Sequence, residues 1–259
     1  MFLIYGADAM ELDQLAIRQK HNESIGTRSQ RFIQRALLTY LVGPAVHLGV
    51  KGLFRIQVDG EERLAAIGEK NIFALQHFFE WDPLLLYYSA VWKTSLSIPH
   101  LVAQSVGSPL WTQTPLMRAI SWHLGVMGSI KGHEPEQGAI ERAARLLKAD
   151  GPASVAIYPT GPIGREKTYS LYPGVGHLAL YCPDVPITPI AFQGMQEVYW
   201  SDIAGLKRPE IRVSFGKSFC ARDIHGGDEE AKIQVICQRI RSEWAQQADC
   251  VGELEFATR

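Results

Sequence analysis

From about residue 53 onward the apolar positions switch repeatedly between a two-residue and a helical rhythm. Phe54, Ile56 and Val58 alternate with Arg55 and Gln57, so Leu53 to Val58 is expected to be a strand, closed by an Asp59-Gly60 turn. Ile72 to Leu75 is unbroken and apolar, the pattern of a strand buried on both faces. Asp82-Pro83 is a favourable helix start, and the helix is expected to run to about Trp92. Residues 94–114 are rich in Ser, Thr, Gly and Pro and read as a loop. A helix at 116–124, a strand at 126–131 and an amphipathic helix at 136–149 follow. Strands at 154–158, 185–192 and 210–215 enclose a helix at 174–181. The chain ends in a long polar helix, 228–248, with an apolar stripe of Ile233, Ile236, Ile240 and Trp244. Strands that alternate with helices in this way predict an α/β fold with one main sheet.

The first fifty residues have a different character. Arg28, Arg31 and Arg35 recur at helical spacing and lead into the apolar stretch Ala36 to Val42. Gly43-Pro44 breaks that stretch, and Ala45 to Phe54 is again apolar apart from His47 and Lys51. A spanning helix needs about 20 uninterrupted apolar residues. The break favours either two short helices lying on a membrane surface, with the arginines near lipid phosphates, or a buried helical hairpin. Met1 to Gly6 is apolar but too short, and too soon followed by Asp8 and Glu11, for a secretion signal.

Composition narrows the function classes. Apolar residues are 46% of the 259, enough for a large core, and 26 basic against 27 acidic residues leave no field that would attract nucleic acid. Cys182, Cys220, Cys237 and Cys250 form no metal-type pair and read as reduced thiols of a cytosolic protein. No domain boundary or repeat interrupts the chain.

Two stretches hold candidate chemistry. Gln76-His77-Phe78-Phe79-Glu80-Trp81-Asp82-Pro83 puts a histidine just past a strand and an aspartate at the mouth of a helix. Histidine titrates near neutrality and suits a general base, and the aspartate can orient its ring. Both also have ordinary structural roles, His77 as a core residue at a strand end and Asp82 as a helix cap. Two side chains five residues apart in one helix diverge by about 140°. The pair therefore works only if His77 lies before the helix and Asp82 in its first turn. The second stretch, Tyr158-Pro159-Thr160-Gly161-Pro162-Ile163-Gly164-Arg165-Glu166-Lys167, follows a strand and suits a loop that binds an anion. Other motifs fail. Gly216-Lys217-Ser218 lacks the first P-loop glycine, and His133-Glu134 lacks the second zinc-protease histidine. No Gly-x-Ser-x-Gly elbow and no dinucleotide fingerprint occurs.

Taken together, the blocks resemble the glycerolipid acyltransferase superfamily, typified by lysophosphatidic acid acyltransferases. They are the HX4D motif of His77 and Asp82, the segment Val126 to Lys131, Tyr158-Pro159-Thr160-Gly161 where the family usually reads Phe-Pro-Glu-Gly, and Val185-Pro186-Ile187-Thr188-Pro189-Ile190. Pro173 to Ala179 is similar to the family's glycine-helix segment, and 83 residues separate His77 from Thr160. The resemblance covers about residues 53–216. It implies one acyltransferase domain, 1–259, with an α/β core that has a single mixed, mainly parallel sheet flanked by helices. A helical membrane-association segment, 1–52, would precede that core.

By the same resemblance His77 is the base that activates an acceptor hydroxyl, and Asp82 holds its ring. The acyl donor is acyl-CoA or acyl carrier protein, the acceptor is a lysolipid, and no metal or other cofactor is needed. The setting is the cytoplasmic membrane face. Thr160, Gly161, Arg165, Lys131 and Lys167 fall on the acceptor and oxyanion side, where backbone N–H groups near Gly161 are candidates for the oxyanion. The cations there would bind a phosphate or be solvated loop residues. Leu84 to Tyr88, Trp111, Leu116 and Trp122 line an acyl groove or belong to the core.

The departures from the family pattern cluster on that side. Thr160 replaces a glutamate, Lys131 replaces an arginine, Pro173 replaces a lysine, and the loop arginine comes four residues after Gly161 instead of two. The acceptor is therefore expected to differ from plain lysophosphatidate. A non-catalytic lipid-binding protein and a thioester hydrolase are the competing readings.

Overall fold

The computed structural model describes residues 43–65, 68, 70–78, 82–86, 88–89, 100–103, 127–128, 135–150, 153–161 and 171–247. The chain divides into two compact units, Met1–Pro44 and Ala45–Arg259. Apart from the first two residues of the first helix, every described residue belongs to the second unit. The expected membrane-surface segment before residue 43 lies outside the described residues, as do Lys131, Arg165, Lys167, Trp111, Leu116 and Trp122.

In chain order the elements are α1 (Gly43–Leu53), β1 (Arg55–Asp59), α2 (Glu61–Ala65), β2 (Lys70–Leu75), α3 (Asp82–Leu86), β3 (His100–Ala103) and β4 (Met127–Gly128). They continue as α4 (Pro135–Lys148), β5 (Ala153–Ile157), α5 (Gly174–Tyr181), β6 (Ile187–Gln193), α6 (Trp200–Ala204), β7 (Glu210–Phe215) and α7 (Glu229–Gln247). The described strands form one sheet in the order β1-β7-β6-β2-β5-β3-β4. β6 and β7 are antiparallel and the other neighbours are parallel, so the sheet is mixed and mainly parallel.

The apolar run Ile72–Leu75 lies in the middle strand, β2, and is fully buried. Strand alternation sends its residues to two cores. Ile72 and Ala74 join Ala143 and Leu147 of α4, Val175 and Leu178 of α5, and the α7 stripe Ile233, Ile236, Ile240 and Trp244. Phe73 and Leu75 join Val50 of α1, Leu85 and Leu86 of α3, and Ile203 of α6 on the other face. Leu85 and Leu86 are thus core residues and not groove lining.

Several boundaries match the sequence pattern, among them α5 and β7. The region 94–114 does not. His100–Ala103 is a strand between β5 and β4. Four residues in a parallel sheet are too few to display a period, and the flanking Ser, Thr and Pro residues mask them. The helices α2 and α6, each of five residues, are likewise too short for a periodic signal.

Gly176 sets how closely two helices meet. A Cβ there would stand 2.6 Å from Cγ2 of Ile233 and 3.0 Å from its Cβ. Gly176→Ala is therefore expected to destabilise the fold by about 1–3 kcal/mol. Adding Ile233→Ala should give a double variant whose loss is smaller than the sum of the two single losses, as read by chemical denaturation.

Candidate active site

The loops after β2 and β5 meet at the carboxyl end of the sheet. These strands are adjacent and parallel, with Ala74 level with Ile157. α3, the next described element after β2, packs on one face of the sheet, and α5, the next after β5, packs on the other. Ligand sites in open α/β sheets occupy the crevice that such divergence creates.

His77 stands two residues beyond the end of β2, and Asp82 is the first residue of α3. This is the arrangement the pair requires. His77 Nδ1 lies 3.0 Å from Asp82 Oδ2, and the same oxygen accepts the Phe78 backbone N–H at 2.7 Å. The Asp82 side chain has no exposed surface and the His77 side chain keeps 19%. Burial makes these bonds strong, because a buried carboxylate without donors is costly. An Nδ1–H donated to Asp82 leaves Nε2 as the ring nitrogen able to take a proton. Gln76, buried beside it, accepts the Phe192 N–H on Oε1 at 3.2 Å and ties the strand end to β6.

The turn after β5 supplies the opposite wall. Pro159 occupies the second position of a tight turn closed by the Gly161 N–H on Tyr158 O at 3.0 Å. Gly161 has a φ of 77°, a left-handed conformation that glycine adopts without strain. Its amide is thereby engaged within the turn. The Tyr158 ring packs on His77 with centroids 4.4 Å apart. The Tyr158 and Thr160 hydroxyls are buried and have no hydrogen-bond partner among the described residues. Burial, reinforced by the Asp82 charge, pushes the Tyr158 phenol well above its ordinary range, so it stays neutral. Tyr158 was not evident as a site residue from spacing. Its one signal is a hydroxylated ring at the position where the resembled family has Phe.

No group of three or more His, Cys, Asp or Glu that could hold a metal ion occurs among the described residues. Cys182, Cys220 and Cys237 are free thiols.

Fold and site together define an α/β protein with a carboxylate-oriented histidine at the carboxyl end of its central strand. No protein-family model and no curated protein matches the sequence. Among solved structures the chain is similar to the crystal structure of the 1-acyl-sn-glycerophosphate (LPA) acyltransferase PlsC from Thermotoga maritima. The TM-score is 0.55 at 13% sequence identity, and the match covers 83% of each chain. That likeness shows a shared fold.

A buried hydroxyl with no partner among the described residues costs stability, so Tyr158→Phe is expected to stabilise the fold by up to about 1 kcal/mol in urea titrations. The raised phenol pKa adds a pH signature. Below about pH 10 the phenol is neutral both folded and unfolded. Above it the unfolded chain loses the proton first, so native stability falls as pH rises. Over that window the wild type should lose about 1.4 kcal/mol per pH unit more than Tyr158→Phe.

Proposed function

We propose that the protein is an O-acyltransferase that moves a fatty acyl group from a thioester donor, acyl-CoA or acyl carrier protein, to a hydroxyl of a lysolipid or related acceptor. The observation that carries the reading is the 3.0 Å contact between His77 Nδ1 and the buried Asp82 carboxylate, in a fold shared with an LPA acyltransferase. In this scheme Nε2 of His77 removes the proton of the acceptor hydroxyl as its oxygen attacks the thioester carbonyl carbon. The tetrahedral oxyanion collapses, the C–S bond breaks, and the departing thiolate takes the proton back from Nε2. Asp82 stabilises the imidazolium formed in between and fixes the ring's tautomer. The reaction takes place at a membrane surface, with the protein held peripherally on the cytoplasmic face as part of phospholipid synthesis.

The neutral hydroxyls of Tyr158 and Thr160, in place of the resembled family's Phe and Glu, support an acceptor other than plain lysophosphatidate. Arg165, Lys131 and Lys167 are the cations proposed to meet any acceptor phosphate.

His77→Ala is expected to lower turnover by about 10²-fold or more while the chain still folds, with a lower unfolding temperature because the buried Asp82 carboxylate loses one of its donors. Asp82→Asn should cost between about 10²- and 10⁴-fold, because the ring loses its tautomer control. Retained turnover in His77→Ala would remove His77 as the base, and lipid binding with no transfer in the wild type would favour a binding protein. Assays with lysophosphatidate, headgroup-bearing lysophospholipids and non-phosphorylated long-chain alcohols test the acceptor class. The expected outcome is a better acceptor than lysophosphatidate; strong preference for lysophosphatidate overturns that part of the reading.

A further inference from the structure

We propose that the rim formed by α1, α6 and the turn at 205–209 is a docking surface for an anionic lipid bilayer. The proposal deepens the acyltransferase reading and rests on it for the orientation of the site. Four large apolar side chains are at least half exposed here: Leu48 at 69%, Leu206 at 67%, Tyr199 at 56% and Trp200 at 50%. Exposed aromatics and leucines beside cations are the signature of an interfacial surface.

The cations are in place. Lys51, Lys207 and Arg208 are exposed, and Arg208 Nη2 donates to Lys51 O at 3.1 Å, which joins the turn to α1. Lys207 lies 2.7 Å from Asp202, so one acid offsets part of the charge. Arg55 and Glu210, paired in register at the starts of β1 and β7, balance each other. Glu197, exposed just before Tyr199, offsets a further charge, so Lys51, Arg55, Lys207 and Arg208 exceed Glu197, Asp202 and Glu210 by one positive charge, which suits anionic lipid.

Backbone conformation supports the assignment. Leu206 and Arg208 both have φ of 51°, a left-handed conformation rare for non-glycine residues. A strained turn that exposes a leucine is a feature of functional sites more than of passive loops.

The position of the rim gives the surface a purpose. β6 runs parallel to β2, so Gln193 ends at the same edge of the sheet as His77. β7 is antiparallel to β6 and β1 parallel to β7, so both begin at that edge. The ends of α1 and of the 205–209 turn, which lead into β1 and β7, therefore stand on the same edge as the catalytic pair. Three strand spacings, about 15 Å, separate β2 from β1. A bilayer against this rim would present its lipids to the crevice that holds His77.

The test is co-sedimentation of the full chain with phosphatidylcholine vesicles, with and without phosphatidylglycerol. Leu206→Gly relieves the left-handed strain, so it should fold at least as well as the wild type. Combined with Leu48→Gln it is expected to lower vesicle partition by about tenfold or more. Lys51→Gln with Lys207→Gln should weaken binding to the anionic vesicles by about fivefold per lysine, and leave neutral vesicles unaffected. Val235→Gln, an exposed apolar site on α7, should change neither. Hydrogen exchange should slow at 199–208 and 46–53 when vesicles are added. Unchanged partition in the Leu206→Gly/Leu48→Gln variant overturns the proposal. So does the finding, by light scattering, that this variant instead dissociates an oligomer, which would assign the rim to a second copy of the chain. Partition needs no turnover, so vesicle binding by an inactive wild type supports the surface while counting against the acyltransferase reading.

Discussion

The Asp82 carboxylate is the constraint around which the central part of the molecule is arranged. It is wholly buried, and a buried carboxylate has to collect donors. Oδ2 collects two, from a side chain and from a backbone, both just past the end of β2. The end of the chain segment leaving β2 and the start of α3 are thereby joined through one carboxylate oxygen. Behind it, Leu85 and Leu86 of α3 are fully buried in one core with Phe73 and Leu75 of β2, which anchors the helix that carries Asp82. The ring is thus held against an anchored helix, with Gln76 fastening the same strand end to β6.

Much of this was legible in the residues. Continuous apolar runs such as Ile72–Leu75 mark strands buried on both faces because parallel sheets are covered twice. The period of α7 was long enough to show its stripe, and all four residues of that stripe are in the core. His77 before the helix and Asp82 at its start followed from one dipeptide, Asp82-Pro83, whose two residues each favour a helix N-terminus. Strand order was not legible, because pairing between β2 and β6 joins residues more than a hundred positions apart. β3 was hidden for the opposite reason, since four residues carry no measurable period.

The site was legible to different degrees in its two walls. The contact of His77 with Asp82 could be read because a histidine just before a helix and an aspartate at its first residue are brought within hydrogen-bond reach. The turn after β5 could be read as a turn, from Pro159 and Gly161, but its chemistry could not. Whether a tyrosine hydroxyl faces solvent, a partner or an apolar interior depends on burial, and burial depends on the whole fold. Tyr158 is packed on His77, and its buried hydroxyl meets no partner among the described residues. Burial and the Asp82 charge both oppose ionisation of that phenol, so a neutral hydroxyl stands beside His77. Thr160 likewise contributes a neutral buried hydroxyl where the resembled family carries a carboxylate.

The antiparallel pairing of β6 with β7 decides which segments of the chain stand on the same edge of the sheet as His77. In a wholly parallel sheet the amino ends of all strands, and the segments leading into them, lie on the side away from the carboxyl-end crevice. Reversing β7 and β1 brings their leading segments round to the crevice side. Those segments carry the exposed Leu48 and Leu206 and the cations next to them. The strands that bear His77 and the turn at Tyr158 remain parallel, so the crevice itself is undisturbed. One reversal of direction is thus enough to place an exposed apolar and cationic rim and the buried His77–Asp82 contact on the same edge of one sheet. Under the proposed docking, a lipid in a bilayer would be presented to that edge, an advantage a substrate free in solution would not share.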